Sequence, residues 1–181
     1  MRQVFLSVAF CLTLTVSTAE AQNSHDAAGG ARLPGKGSSR FVLADVTGEV
    51  VREFHAAWQQ SGLGTLDTEA VVLLLRNSDG SCKAVSAGRT NQSNAFTFIW
   101  NPAIIAIVHT HPNDRDPKPQ EQDILIARRF DIPIFTITLR GMHMYDPASN
   151  KITKIKSGVD WLDSSSWITN THLAVKEPSK R

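Results

Sequence analysis

His109-Thr110-His111, closing the apolar run Ile104–Val108, is the spacing in this chain best suited to chemistry. Residues i and i+2 of a strand face the same way, so two imidazoles at this spacing can aim at one point. Twelve residues beyond the second histidine, Asp123 falls in the opening turn of a segment with helical periodicity and can return a carboxylate to the same strand end. Two histidines and a carboxylate leave one position of a tetrahedral ion free, as in a catalytic rather than a structural zinc site. An H-x-H pair also occurs without metal, capping a strand. Three features favour the metal here. The pair stands where a buried strand gives way to a polar loop; Pro112, Pro117 and Pro119 stiffen that loop; and Gln120-Glu121-Gln122-Asp123 opens the following helix.

A hydrolytic centre also needs a carboxylate to carry protons. Glu69 stands immediately before the apolar run Ala70–Leu75, with Asp67 two residues earlier. On the residues alone, Glu69 reads as a charge at a strand's entrance. Other metal chemistries fit worse. The Pro-Cys-x-x-Cys partner of zinc deaminases is missing, and His109-Thr-His111-Pro-Asn-Asp114 departs from the His-x-His-x-Asp-His of metallo-β-lactamases. An amidohydrolase barrel needs a longer chain with further histidines.

These residues resemble the JAB/MPN metalloprotease family. Its JAMM motif, Glu…His-x-His-Pro…Ser-x-x-Asp, is similar to Glu69…His109-Thr110-His111-Pro112…Gln120-Glu121-Gln122-Asp123. Gln120 stands where the family has serine, and the His111-to-Asp123 spacing is one residue longer than the commonest form. Glu69–Gly80 is similar to the family's glutamate and the strand after it. Ile132–Pro147 is similar to the strand–turn–strand that follows the metal-bearing helix. The likeness covers roughly Val46 to Ile155 and points to small JAB-like domains of bacterial secreted proteins.

The resemblance implies an α+β chain with the JAB/MPN (cytidine-deaminase-like) fold, a mixed, mostly antiparallel sheet flanked by helices. It implies Zn2+ held by His109, His111 and Asp123, with Glu69 as general base and then acid. Gln120 would offer its side-chain amide to the oxyanion in place of the serine. The implied activity is hydrolysis of a peptide or isopeptide bond by metal-activated water. A catalytically inactive binding module of the same fold is the alternative that Gln120 leaves open, and such ligand sets also accept other divalent ions.

The rest of the chain must position these groups. Residues 1–21 have the form of a signal peptide: Arg2, an apolar core Val4–Val16, and the small-x-small site Ala19-Glu20-Ala21. The core is too short and too broken by Ser and Thr for a membrane span, and Phe10 before Cys11 argues against a lipid anchor. The expected setting is periplasmic or secreted. Substrates there are cell-wall peptides or a target protein. The net charge of +2 calls for neither nucleic acid nor an anionic membrane. Beyond the signal only Cys82 remains, so no internal disulfide is expected, and the thiol reads as a half-buried strand residue.

Residues 22–40 are Gly/Ser/Ala-rich and read as a flexible leader, and a single domain is expected over 41–157. Within it, Thr47 caps a helix carrying Val50, Val51, Phe54, Ala57 and Trp58 at helical spacing, stopped by Gly62. Ala70–Leu75 and Ser81–Ala87 form a hairpin around Asn77–Gly80. Ala95–Trp100 and the histidine strand follow, as an antiparallel meander beside a helix. A helix over Gln120–Asp131 and strands at Ile134–Leu139, Met142–Tyr145 and Lys151–Lys156 complete the domain. Residues 158–181 form a tail in which Trp161 and Trp167 fold back on the domain. His25, His55, His143 and His172 are not expected as ligands.

Overall fold

The computed structural model describes residues 40–90, 98 and 100–168. Helix α1 (Gly48–Gln60) begins where Thr47 Oγ1 accepts the Val50 N–H at 3.4 Å. Its buried residues, Val50, Val51, Phe54, Ala57 and Trp58, recur at the helical period and form one apolar stripe. The helix stops before Gly62, whose φ of 62° is one that glycine adopts without strain.

Strands β1 (Ala70–Arg76) and β2 (Cys82–Arg89) pair antiparallel across the Asn77–Gly80 turn. Asp79 Oδ1 accepts the Ser81 N–H at 2.8 Å there, and Gly80 takes a φ of 83°. Strand β3 (Ile104–Thr110) is buried along its whole length and runs antiparallel to β1. Strand β4 (Ile134–Thr138) lies parallel to β3. Parallel neighbours need a crossover, and helix α2 (Glu121–Phe130) supplies it. Strands β5 (Gly141–Asp146) and β6 (Lys151–Ser157) continue antiparallel from β4.

The strand order is β2-β1-β3-β4-β5-β6. This corrects the expectation of a consecutive meander: β1 lies between β2 and β3, and one pairing is parallel. The reason is burial. β2 is partly exposed along its length and suits an edge, whereas β3 needs a neighbour on each side. The sheet is thus mixed and mostly antiparallel, and the chain is α+β.

Each face of the sheet is covered by a helix. Val72, Leu74, Ala106, Val108, Phe135 and Ile137 pack with α1. Val71, Ile107, Ile134 and Tyr145 pack with Ala127 of α2. Alternation along the strands therefore places Glu69 and His109 toward the α2 face and Thr110 toward the α1 face.

Beyond β6, Trp161 and Trp167 are buried against α1. Trp161 meets Trp58 edge-on at 5.4 Å and Trp167 meets Phe54 at 6.4 Å, measured between centroids. Trp161 Nε1 donates to the Thr138 carbonyl at 3.1 Å, tying this segment to the end of β4. Arg76 makes a two-pronged ion pair with Asp45 at 2.5 and 2.7 Å, anchoring the chain ahead of α1 to β1.

The expected signal peptide, the expected leader up to Ser39 and residues 169–181 lie outside the described residues, as does most of the expected strand Ala95–Trp100. Phe98 and Trp100 are described, and neither belongs to a strand. Among the described residues, no helix is long and apolar enough to cross a membrane.

Candidate metal centre

Glu69, His109 and His111 converge at the carboxyl end of β3, with Asp123 beside His109. His109 is the penultimate residue of β3. His111 stands one residue past its end, but its N–H still donates to the Ile137 carbonyl of β4 at 3.1 Å, so it keeps the strand's direction. Asp123 comes from the first turn of α2, where its Oδ2 accepts the Gln120 N–H at 2.7 Å. Glu69 comes from the residue before β1 and is fixed through its main chain. Its N–H donates to Thr90 Oγ1 at 2.9 Å and its carbonyl accepts the Thr90 N–H at 2.7 Å. The next N–H, of Ala70, donates to Thr110 Oγ1 at 2.9 Å.

The His109 and His111 Nε2 atoms are 3.0 Å apart. His109 Nε2 lies 3.4 Å from Asp123 Oδ1. The Glu69 carboxylate straddles the pair, with one oxygen 4.0 Å from each Nε2. Glu69, His109 and His111 offer ligand atoms that all lie within 4.8 Å of one another, a group that could hold a metal ion. Asp123 joins it through His109.

No protein-family model matches this chain, and no curated protein matches it. The site is therefore read from its own chemistry.

His111 Nδ1 lies 2.7 Å from the Asp116 carbonyl, which can only accept. Nδ1 therefore carries the proton and Nε2 presents a lone pair to the cluster. Burial and the neighbouring His109 charge, only partly offset by Asp116, hold the His111 pKa down at about 4. Burial also acts against the charged form of His109, but the Asp123 carboxylate, by charge and hydrogen bond, and Glu69 outweigh it and raise that pKa to about 9. Burial pushes Asp123 up; His109, the Gln120 N–H and His111 outweigh it, and the net shift is downward. Glu69 is raised to about 7, by burial first and by Asp123, against the lowering pull of His109 and Arg115. At neutral pH one proton on His109 Nε2 is thus shared toward His111 and Asp123. A cation held in the cluster would take that proton's place.

The donors around His109 have the chemistry and spacing for such a cation, which Glu69, His109 and His111 could hold together. Zinc ligands at 2.0–2.1 Å in a tetrahedron are separated by about 3.3 Å, and the 3.0 and 3.4 Å separations at His109 bracket that value. Glu69, at 4.0 Å from both imidazoles, stands slightly outside such an edge.

The other expected residues are placed as follows. Asp67 is exposed, its carboxylate 4.0 Å from Arg115. Gln120 is exposed at the start of α2, with its main-chain N–H on Asp123. His55 is exposed and bonds the Leu162 carbonyl at 3.0 Å. His143 is buried in β5. Cys82 is a half-buried strand residue whose thiol pKa is raised by burial. Sequence reasoning assigned no part to Thr90, Thr110 or the Asp116 carbonyl. Only Thr110 carried a signal, as a hydroxyl at the end of a buried strand that is apolar up to His109.

Proposed function

We propose that this chain is a zinc-dependent amide hydrolase of the JAB/MPN type that cleaves peptide or isopeptide bonds. What carries the reading is convergence. A carboxylate before β1 and two imidazoles at the end of β3 meet at one point, with a carboxylate from the first turn of α2 beside His109, in the chain order of the JAMM motif. His109, His111 and Asp123 would hold the ion. It supplies Lewis acidity, which polarises a carbonyl and lets water give up a proton near neutral pH.

The chain's own groups do the remainder. Glu69 stands beside both imidazoles with a pKa near 7, poised to accept a proton from attacking water and return it to the leaving amine. Thr90 and Thr110 hold the main chain around that carboxylate, so little motion is needed to reach it. His109 and His111 present Nε2 to the same point, and the Asp116 carbonyl on Nδ1 sets the His111 ring. The exposed Gln120 side chain is the donor for the oxyanion where the family has serine. With export directed by residues 1–21, the substrates are cell-wall peptide cross-links or a target protein outside the cytoplasm.

The test is turnover of a panel of peptides, isopeptide-linked peptides and cross-linked cell-wall fragments by the zinc-loaded protein. Expected are hydrolysis that a chelator stops and zinc restores, and a rate at least about 100-fold lower in Glu69→Gln. If the metal-loaded protein is no faster than Glu69→Gln on every substrate, the chain is a binding module of this fold rather than an enzyme.

A further inference from the structure

The carbonyl that orients His111 belongs to an exposed residue, Asp116, on the Pro112–Pro119 loop. An orienting carbonyl on a surface loop is only as well placed as the loop itself. This one is secured by the next residue. The Pro117 carbonyl accepts a hydrogen bond from the hydroxyl of Thr136, a residue of β4 with no exposed surface. Strand register sets Thr136 beside His109 of β3 on one side and His143 of β5 on the other.

Thr136 is otherwise hard to account for. It sits among Ile134, Phe135 and Ile137 in a strand buried throughout, where a hydroxyl is costly unless it is bonded. Valine would have the same shape. Among the described residues, the Thr136 hydroxyl bonds the loop.

We infer that Thr136 is a positioning residue of the metal centre. Its hydroxyl pins the Pro117 carbonyl, one peptide beyond the Asp116 carbonyl that holds His111 in the tautomer and ring orientation a metal ligand needs. The inference rests on the metal-binding reading of the site. It adds a residue that touches neither the ion nor the substrate and lies 25 positions beyond the ligand it sets.

The experiment compares Thr136→Val, which keeps the shape and removes the donor, with Thr136→Ser, which keeps the donor. Zinc affinity is read by competition with a chromophoric chelator. His111 ring nitrogens are read by 15N NMR of the metal-free protein, and thermal melting controls for folding. Expected are a 10- to 100-fold loss of zinc affinity in Thr136→Val and a mixture of His111 tautomers. Thr136→Ser should stay within about threefold of wild type, with His111 protonated at Nδ1 alone. If Thr136→Val does not fold, Thr136→Cys takes its place, since a thiol is only a weak donor, with the same expected loss. Wild-type affinity in the donor-less variant overturns the inference, as does an equal loss in Thr136→Ser or an unchanged His111 tautomer. Failure of the wild type to take up zinc would instead sink the metal reading, and the inference with it.

Discussion

Thr90 holds Glu69 by both polar groups of its main chain, accepting its N–H on Oγ1 at 2.9 Å and donating its own N–H to the Glu69 carbonyl at 2.7 Å. Thr110, from the strand between the two histidines, takes the next N–H along. The carboxylate and the imidazoles are therefore joined through hydroxyls as well as through the sheet.

Removing one of these hydroxyls should loosen the Glu69 end of β1. Thr110→Val leaves the buried Ala70 N–H without its acceptor, which costs about 1–3 kcal/mol. Thr110→Ser should keep most of that stability. Hydrogen exchange at Ala70 reports on the bond directly, and an unchanged exchange rate in Thr110→Val would count against it.

Glu69 should lower the stability of the metal-free protein. Its pKa is 4.5 in the unfolded chain and about 7 when folded. The stability contributed by its protonated form is therefore full below pH 4.5 and lost as pH rises through about 7. Glutamine does not ionise. Metal-free Glu69→Gln should thus exceed wild type above pH 7, by an amount on the order of 3 kcal/mol at most, and lose the advantage in acid. Equal melting temperatures at pH 8 would contradict this.

Asp123→Asn should bring the His109 pKa down from about 9, because Asp123 is the largest influence opposing the burial that disfavours the imidazolium. With that charge gone, burial dominates and the pKa falls toward or below 6.5. The start of α2 also loses a charged acceptor for the Gln120 N–H, at a cost of about 1 kcal/mol. NMR titration of the His109 ring checks the shift, and a value still near 9 would sink the assignment.

Zinc affinity should rise with pH. His109 carries a proton below about pH 9, and the ion must displace it, so affinity should increase about tenfold per unit between pH 7 and 9. Chelator competition at three pH values measures the slope. A flat profile would mean that His109 is not a ligand.

Much of this was legible because it is local. Thr47 and Gly62 bound α1 as their residue types predict, Asn77–Gly80 turns the hairpin, and the two-residue spacing of His109 and His111 does aim both rings at one point. What stayed hidden depends on contacts between distant residues. Glu69 and Thr90 are 21 positions apart, and Thr136 and Pro117 are 19. Nothing local to a threonine says which main-chain group it will meet. The place of β1 between β2 and β3 was hidden for a similar reason. It follows from how much burial each strand demands in the finished sheet, whereas an order along the chain suggests a simple meander.

The most direct measurement is the metal content of the purified protein by elemental analysis, beside a His111→Ala variant. The prediction is about one zinc per chain, lost in the variant while the fold is kept. Wild-type protein that holds no metal even after zinc is added back, or a variant that holds it as tightly, would contradict a metal centre built on His109 and His111.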